Sequence, residues 1–429
     1  MRKLIALGYS GLTRTFFPLY LLRLLLKSVK APEYRRRWPQ RFGNTPYPPQ
    51  TGPGTIWVHA VSVGEVRAAA PLIKALQKEH PRRNLVVTTT TPTGSQELRQ
   101  LFADTVLHSY LPYDLESMAE RFLQRTNPAL ALFMETEIWP NLYTKLARRS
   151  VPVIIANARL SPGSFKGYMK IRPFMADILN RCTWILAQSE ADRGRFTRIG
   201  VLPHKILTTG NIKFDQPVPT DHIRSGKVLR DSIGPKRPVW IAASTHPGEE
   251  EAVLKAHARL RKLLPDCLLI LVPRHPERFQ AAAGLAAGLG YAVQRHSPGG
   301  PVRPETSVYI GDCMGRMFTF YAASDMAFVG GSLVPTGGHN LLEPASLGLP
   351  VLSGPHLFNF REISRLLLDR NGLLLVKDSE DLATNLGALF QNPEQARAMG
   401  ERAGQVVAGN KGATDRVLQA IEPHVNQKG

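Results

Sequence analysis

The sequence has few cysteines and no recognisable metal-ligand motif, and each shortage excludes a class of protein. The three cysteines, Cys182, Cys267 and Cys313, lie far apart among 429 residues. This excludes a disulfide framework and any zinc or iron–sulfur site that needs four cysteines, and it indicates a reducing compartment. No Asp-x-Asp or His-Glu-x-x-His motif occurs, and the twelve histidines have no metal-ligand spacing. We therefore expect no metal and no other cofactor.

Acidic residues are also scarce relative to basic ones. The chain has 34 Asp and Glu against 54 Lys and Arg, which gives a net charge of +20. Such an excess predicts a polyanionic partner, and charge alone does not separate nucleic acid, an anionic membrane surface and a phosphorylated substrate. The length and the 43% hydrophobic content are those of a globular protein with two or three domains.

No long apolar run is free of charge. The best candidate, residues 4–26, is interrupted by Arg14, Pro18 and Arg23, and no small-residue cleavage site follows it. A removable signal peptide is therefore disfavoured, and a central arginine costs ~3 kcal/mol in a spanning helix. The next residues mix basic and aromatic side chains, as at the cytoplasmic face of a membrane. We interpret residues 1–43 as a membrane anchor with a basic juxtamembrane segment, either spanning or interfacial; a surface helix on a soluble body is the alternative.

Beyond residue 50, short β-rich apolar runs alternate with stretches of helical period, a pattern typical of parallel sheets covered by helices. The proline-rich polar segment 216–226 separates two such series and resembles a linker. We predict an α/β fold with two doubly wound, Rossmann-like domains, 44–215 and 216–429, facing a central ligand cleft, with terminal helices in the second. The predicted strands are 55–60, 84–90, 105–111, 129–135, 151–158, 184–189 and 205–210, then 239–244, 267–274, 291–296, 307–311, 326–332, 350–354 and 373–378.

The run 326–352 has the order strand, glycine turn, helix, strand. Gly337 and Gly338 lack β-carbons, so backbone amides at the start of the helix can approach a phosphate, which the helix dipole also favours. Glu343, one turn into the helix, is placed to accept hydrogen bonds from a ribose. Nucleotide-sugar transferases of the two-domain GT-B type have this combination in their C-terminal domain. A tight turn without a ligand is the alternative.

Two other strand ends in the second half carry candidate ligand-binding residues. Arg274 and His275 follow the strand 267–274, and the arginine offers planar hydrogen-bond donors for a phosphate. The sequence Gly-Asp-Cys-Met-Gly, 311–315, follows another strand, and its backbone can contact a base. A plain turn explains this last segment equally well.

In the first half, Glu65 begins a helix directly after the first predicted strand. A carboxylate there can act as a general base, and the helix N-terminus favours its ionised form. Glu135 and Glu137 follow another strand, and Lys213 lies beside the predicted hinge, where it can neutralise a carboxylate or a leaving phosphate. The alternatives are a glutamate that only complements the helix dipole and a solvated loop lysine.

Together these motifs resemble the 3-deoxy-D-manno-octulosonic acid (Kdo) transferases of lipopolysaccharide synthesis. HAVSVGE, METEIWPN, NARLS, GNIKFD, ASTHPGEEE, PRHPERF and GGHNLLEPA occur in the order of that family, and the match extends from the N-terminal segment to the last helices. The resemblance implies a GT-B fold and transfer of Kdo from CMP-Kdo to the lipid A precursor (lipid IVA), with inversion and without metal. It also implies catalytic domains on the cytoplasmic side of the inner membrane, an anionic membrane surface as partner, and no nucleic acid.

The resemblance also assigns roles to single residues. Glu65 would accept the proton of the acceptor hydroxyl, and Glu135 and Lys213 would stabilise the transition state. Arg316 departs from the family pattern, in which an acidic residue often follows Met-Gly. The residues that would hold CMP are Pro273, Arg274, Met314, Gly315, Arg316, Asn340, Leu341, Leu342 and Glu343.

Two other functions are compatible with the residues. A different GT-B transferase or a nucleotide-sugar epimerase would use a UDP-sugar instead of CMP-Kdo. A basic, membrane-tethered binder of nucleic acid or lipid would use the two domains only as scaffolds, but no RNA-binding motif or recognition helix is evident. The motifs do not set the number of Kdo residues transferred, because the same motifs would serve one or several transfers.

Overall fold

A computed structural model describes residues 2–30 and 32–425, without the side chains of residues 2–7, 12, 27 and 30. The strands are β1 (Thr55–His59), β2 (Leu85–Thr89), β3 (Leu107–Tyr110), β4 (Pro128–Met134), β5 (Val153–Ala158), β6 (Trp184–Ala187), β7 (Ile206–Thr208), β8 (Val239–Thr245), β9 (Leu268–Pro273), β10 (Val293–Arg295), β11 (Val308–Ile310), β12 (Met326–Val329), β13 (Val351–Ser353) and β14 (Leu373–Leu375). Each overlaps a strand expected from the sequence, with ends within three residues of the expected ones, so all of the predicted strands are confirmed.

The helices connect consecutive strands in most cases, as parallel pairing requires. They are α1 (Arg2–Lys30), α2 (Trp38–Arg41), α3 (Val63–Glu79), α4 (Pro92–Phe102), α5 (Glu116–Thr126), α6 (Pro140–Arg148), α7 (Pro162–Lys170), α8 (Arg172–Leu179), α9 (Glu190–Ile199), α10 (Thr220–Ile233), α11 (Glu249–Leu263), α12 (Phe279–Gly288), α13 (Met317–Ala322), α14 (Leu342–Ser346), α15 (Arg361–Asp369), α16 (Ser379–Gln391), α17 (Pro393–Gly409) and α18 (Ala413–Val425). The segment 216–226, expected to be a linker, is only partly irregular because α10 begins at Thr220.

The chain forms two compact units, each built on one sheet. The first unit contains residues up to 216 together with those from 411 onward, and the second contains 217–410. The expected boundary placed all of 216–429 in the second domain, whereas the last helix, α18, belongs to the first unit. The reason is packing: Val417 and Ile421 of α18 are buried in the core of the first unit with Ile73 and Leu76 of α3.

The first unit contains a seven-stranded parallel sheet in the order β3-β2-β1-β4-β5-β6-β7. Its central strands are buried on both faces, which explains why they appear in the sequence as continuous apolar runs. The chain runs outward from β1 to β3 and then returns to β4 on the other side. The strand order thus reverses between β1 and β4, the position where ligands bind in open α/β sheets.

The second unit repeats this plan with the order β10-β11-β9-β8-β12-β13-β14, again all parallel. Here the order reverses between β8 and β12. Trp240, Phe328 and Phe320 are fully buried in its core. The expectation of two doubly wound, Rossmann-like domains is therefore confirmed.

The N-terminal segment forms one continuous 29-residue helix, α1, which includes Pro18. It packs on the first unit: Tyr9 donates a hydrogen bond to Asp114 (3.0 Å), and Ser10 donates one to Asn141 (2.7 Å). In the described part of the chain, none of the helices has both the length and the apolar character that a membrane span requires. The large exposed apolar side chains of α1 are Phe16, Leu19, Tyr20, Leu22, Leu25, Leu26 and Val29.

Candidate functional site

Three carboxylates and a lysine meet where the first sheet reverses its strand order. Glu65 lies in the first turn of α3, which follows β1, and Glu135 and Glu137 directly follow β4. The Nζ atom of Lys213 lies 3.1 Å from the Oε1 atom of Glu135. The structure thus brings together Glu65, Glu135 and Lys213, which the sequence predicted as a catalytic set.

Glu65 is held by the chain that precedes it. Its Oε2 accepts a hydrogen bond from the Val61 amide (2.7 Å), and its Oε1 accepts a longer one from the Ser62 hydroxyl (3.4 Å). Burial, together with the negative charges of Glu135 and Glu137, raises the pKa of Glu65 to about 7 against the effect of these two hydrogen bonds. The sequence predicts that the helix N-terminus favours the ionised form of Glu65. This prediction was wrong, because burial has the larger effect on the pKa. A pKa near neutrality suits a general base.

Glu137 shares this environment, although no role is predicted for it from the sequence. Burial, together with the negative charge of Glu135, raises the pKa of Glu137 to about 7. Glu135 itself has a φ of +56°, a left-handed conformation that costs a non-glycine residue about 1 kcal/mol or more. Its amide nevertheless donates to Ala156 O (2.9 Å) and extends the ladder between β4 and β5. The surrounding sheet therefore holds Glu135 in this conformation.

Two asparagines that the sequence analysis missed fix the loop of Lys213. The buried Asn157 accepts a hydrogen bond from the Ile212 amide (3.1 Å), and Asn211 accepts one from the Lys213 amide (3.0 Å). The side chain of Lys213 is only 24% exposed. Lys213 is therefore not a solvated loop lysine. Asn157 lies in the NARLS motif, which contributes to the family resemblance but predicts no role for the asparagine.

Two cavities lie between α1 and the loops that follow the first sheet. One, of about 300 Å³, is lined by Tyr9, Thr13, Phe16, Phe17, Tyr20, Tyr113, Asp114, Leu115 and Trp139. The other, of about 270 Å³, shares Tyr20, Tyr113 and Trp139 with the first and is also lined by Arg23, Arg41, Thr90 and Thr91. An apolar cavity thus adjoins a basic one, and Trp139 is two residues from Glu137 in the carboxylate cluster.

In the second unit, histidines and an arginine gather at the corresponding reversal of strand order. His246 follows β8, Arg274 follows β9 and His339 lies in the loop after β12. The Nε2 atoms of His246 and His339 are 2.8 Å apart, and the two ring planes are nearly parallel, at an angle of 8°. The ring of His275 lies edge-on to that of His246 at 5.5 Å. The sequence singled out Arg274 and His275 but missed the pair.

A buried carboxylate holds the loops that carry this pair. Glu249, at the start of α11, is fully buried and accepts hydrogen bonds from four backbone amides. The donors are His246 (2.9 Å), Gly331 (2.6 Å), Ser332 (2.8 Å) and Leu333 (2.8 Å). In the sequence, Glu249 belongs to the ASTHPGEEE motif of the family resemblance, and nothing in that motif predicts that it joins two loops.

The residues expected to hold CMP lie at the carboxyl ends of neighbouring strands of the second sheet. Pro273 ends β9, 314–316 form an exposed loop before α13, and Asn340 donates to Glu343 Oε1 (3.2 Å) at the start of α14. The side chains of Leu341 and Leu342 are buried, which leaves mainly their backbone atoms for contacts. CMP binding by these residues stays a prediction.

The glycine turn differs from its expected form. Gly337 and Gly338 have φ values of +103° and +77°, and added β-carbons would overlap side chains of the loop 357–359. The Gly338 amide already donates to Gly331 O (2.7 Å), and the following helix, α14, has only five residues. Close packing therefore explains the two glycines, and so short a helix adds little dipole at a phosphate.

Potential metal ligands lie elsewhere in the described part of the chain. One group, Glu79, His80 and Glu422, brings three ligand atoms within 4.8 Å of one another. It lies at the C-terminal end of α3, whereas Glu65 lies at the N-terminal end of this 17-residue helix. The expectation that the reaction needs no metal stays a prediction.

Comparison with known proteins identifies the family. The model of a family described as 3-deoxy-D-manno-octulosonic-acid transferase (kdotransferase) matches residues 36–216. A 3-deoxy-D-manno-octulosonic acid transferase of Haemophilus influenzae is 41% identical over 423 residues, which are 98% of each chain. The chain belongs to the Kdo transferase family. A Bordetella pertussis member of this family is 37% identical and covers 90% of the chain, with 91% of its own length matched.

The family resemblance predicted from the motifs is therefore confirmed, and the chain is a glycosyltransferase that transfers Kdo. A crystal structure of UDP-GlcNAc 2-epimerase from Neisseria meningitidis has a TM-score of 0.59 at 16% identity, covering 86% of this Kdo transferase and 100% of the epimerase. The C-terminal CMP-Kdo binding domain of WaaA from Acinetobacter baumannii is 34% identical, with a TM-score of 0.43, over 44% of this chain and 99% of that domain. The similarity to the epimerase supports the GT-B fold and carries no conclusion about activity.

Proposed function

We propose that this Kdo transferase moves Kdo from CMP-Kdo to a hydroxyl group of the lipid A precursor, with inversion and without metal. The carboxylate cluster with its paired lysine, at the strand reversal of the first sheet, carries this proposal. It combines a glutamate whose pKa is about 7 with a fixed cation, which general-base catalysis of a displacement requires.

The reaction follows from the proposed roles of these groups. The acceptor hydroxyl attacks the anomeric carbon of Kdo and loses its proton to Glu65. The bond between that carbon and the phosphate oxygen breaks, and its electron pair leaves with CMP. Lys213 and Glu135, joined at 3.1 Å, would lie beside the reacting centre and stabilise the charge that develops there.

The donor would bind to the second unit through the loops 273–274, 314–316 and 340–343. The guanidinium of Arg274 would neutralise the phosphate, which is the role a metal has in many other nucleotide-sugar enzymes. Arg316, where the family pattern often has an acidic residue, lies in an exposed loop. Its neighbours Met314 and Gly315 are exposed too, so their backbone would be accessible to a base.

The acceptor would bind beside α1. The apolar cavity lined by Phe16 and Phe17 suits an acyl chain, and the adjoining cavity offers Arg23 and Arg41 to an acceptor phosphate. The exposed apolar side chains of α1 and the charge of +20 favour attachment to an anionic membrane surface. We therefore propose that the enzyme works at the cytoplasmic face of the inner membrane, with α1 lying in the interface.

The direct test is an assay with purified protein. CMP-Kdo prepared beforehand and a tetraacylated lipid A precursor are incubated with the protein and a chelator, and the product masses are recorded. We expect addition of Kdo, and the mass gives the number of transfers. Turnover of a UDP-sugar without turnover of CMP-Kdo would contradict the proposal and favour the alternative GT-B activity. Loss of transfer upon chelation alone would contradict metal independence.

Replacing Lys213 tests the role of the cation. For Lys213→Met we expect kcat to fall about 10²-fold or more, because a preorganised charge near the transition state is lost. Glu135 would then lose the cation with which it pairs, and its uncompensated negative charge should move the pKa of Glu65 and the acid limb of the pH profile upward. Steady-state kinetics from pH 5.5 to 9 measure both effects. Unchanged kcat in Lys213→Met would remove the lysine from the mechanism, and Lys213→Arg serves as the charge-preserving control.

Replacing Phe16 tests the apolar cavity. For Phe16→Ser we expect the KM for the lipid acceptor to rise about tenfold, because an aromatic contact worth about 1.5 kcal/mol is lost. The KM for CMP-Kdo should not change. The matched control is Val29→Ser, which removes an exposed apolar side chain of α1 that does not line this cavity. An equal rise in both variants would indicate a general effect of membrane attachment.

A further inference from the structure

His246 and His339 occupy in the second unit the position that Glu65 and Glu135 occupy in the first. Each follows one of the two strands between which the strand order reverses, β8 and β12. Open α/β sheets bind their ligands at this position. Neither histidine belongs to the set predicted to hold CMP, although Arg274 of that set acts electrostatically on both.

The geometry of the pair fixes where its protons lie. With the two Nε2 atoms 2.8 Å apart, two neutral rings share a single proton between them. The ring that accepts at Nε2 must then carry its own proton at Nδ1, so the pair offers one Nδ1–H donor and one Nδ1 acceptor. Uptake of one more proton, at the free Nδ1 atom, keeps the hydrogen bond between the Nε2 atoms and makes the pair positively charged.

Burial and the surrounding charges together keep His246 and His339 neutral in the free protein. Burial lowers the pKa of His246, with His275 and Arg274 lowering it further and Glu249 and Glu250 opposing them. Burial also lowers the pKa of His339 to about 3, together with Arg274, His246 and His275.

The two glutamates near the pair are already engaged. Glu249 accepts four amide hydrogen bonds, and Glu250 pairs with Arg278 at 2.8 Å. Hydrogen bonds therefore fix the acidic groups, while Arg274 keeps the surroundings favourable to an anion.

The loops that carry the two rings are rigidly held. Glu249 connects the His246 amide to the amides of 331–333 through one carboxylate. Gly331 has a φ of +67°, and a β-carbon there would lie 2.8 Å from the ring of His339. A preorganised pair of donor groups loses little conformational entropy on binding a ligand.

We infer that His246 and His339 act as a proton-sharing pair that binds the phosphate of the nucleotide-sugar donor beside Arg274. As the bond between phosphate oxygen and sugar carbon breaks, the phosphate keeps the electron pair and gains a second negative charge. One Nδ1–H group of the pair donates to this phosphate, and the added charge favours uptake of one proton from solvent at the other Nδ1, which gives the pair a positive charge. This inference rests on the proposed function, because it concerns the donor of that reaction.

Binding of CMP and of cytidine separates the phosphate contribution from that of the base. Calorimetric titrations at pH 8 use the wild-type protein, His339→Ala, His339→Gln and the corresponding variants of His246. We expect each alanine variant to weaken CMP binding at least about tenfold and cytidine binding less than about twofold. Glutamine keeps a neutral donor and should recover part of the loss. The control is His204→Gln, which changes an exposed histidine of the first unit.

The pH dependence tests proton sharing. Between pH 8 and pH 6, the ratio of CMP to cytidine affinity should rise more in the wild type than in His339→Gln, because glutamine cannot take up a proton. Protonation of CMP itself affects all variants equally and cancels in this comparison. A purely structural histidine would not change this pH dependence.

Three results would overturn the inference. The first is an equal loss of CMP and cytidine binding in folded alanine variants, which would indicate a loop defect. The second is unchanged CMP binding in all of them, and the third is the same pH dependence in wild type and His339→Gln. Failure of the proposed function would give a different result from these three. The wild-type protein would then not bind CMP, or it would not turn over CMP-Kdo.

Discussion

Glu65→Gln should lower kcat by about 10²- to 10⁴-fold, the range that general-base catalysis contributes. Glutamine has nearly the same shape, and its carbonyl oxygen can still accept the hydrogen bond that the Val61 amide gives to Glu65. It cannot accept a proton from the acceptor hydroxyl. Because the nucleotide is expected to bind to the second unit, the affinity for CMP should change less than about twofold.

The pH profile provides an independent check on Glu65. The pKa of about 7 means that the wild-type base is half ionised near neutrality. Activity, measured as kcat/KM, should therefore fall about tenfold for each pH unit below 7 and level off above it. Residual activity in Glu65→Gln should lack this limb. The control is Glu79→Gln, at the opposite end of the same helix and exposed. Retained turnover in Glu65→Gln would exclude Glu65 as the base.

Glu249→Ala should destabilise the second unit by about 4 kcal/mol or more. The substitution leaves four amides without the carboxylate that they contact in a fully buried site, and each buried donor without an acceptor costs about 1–3 kcal/mol. These costs do not add fully, since the loop can relax and water can enter. The effect should be local at first, because the loop after β12 depends directly on this carboxylate.

Hydrogen exchange measured by mass spectrometry locates that effect. Peptides containing 331–333 should exchange much faster in Glu249→Ala, whereas peptides from β1 and β4 in the first unit should not change. Urea unfolding of the full chain measures the overall loss of stability. Glu251→Ala is the matched control, since Glu251 lies in the same helical turn but is exposed. Equal protection of 331–333 in both variants would show that the four hydrogen bonds do not hold this loop.

The fold was largely predictable because parallel strands buried on both faces appear as apolar runs. The positions of Glu65 and Glu135 were predictable for the same reason, since the carboxyl ends of neighbouring parallel strands meet at one edge. The histidine pair was not, because 93 residues separate His246 from His339 and no local spacing relates them. The pKa of Glu65 was also missed, because it depends on burial and on two acids that come from another strand.

The glycine turn shows a different limit of sequence reasoning. Gly337 and Gly338 were interpreted from their lack of side chains, which permits the approach of either a ligand or another part of the protein. The pattern alone does not distinguish these cases. In the structure the neighbours are Leu357, Phe358 and Asn359, which come from a loop after the next strand. The three-dimensional arrangement of the two loops shows that close packing requires these glycines, and phosphate binding by the turn stays a prediction.

The return of α18 to the first unit affects how the protein is made. The core of that unit includes Val417 and Ile421, which the ribosome adds about two hundred residues after the last strand of its sheet, β7. The second unit is continuous in sequence and has its own sheet, so all of its residues are available before the first unit is complete. During synthesis, Ile73 and Leu76 would therefore remain without part of their cover until α18 has been made, the interval in which chaperones protect exposed apolar surface.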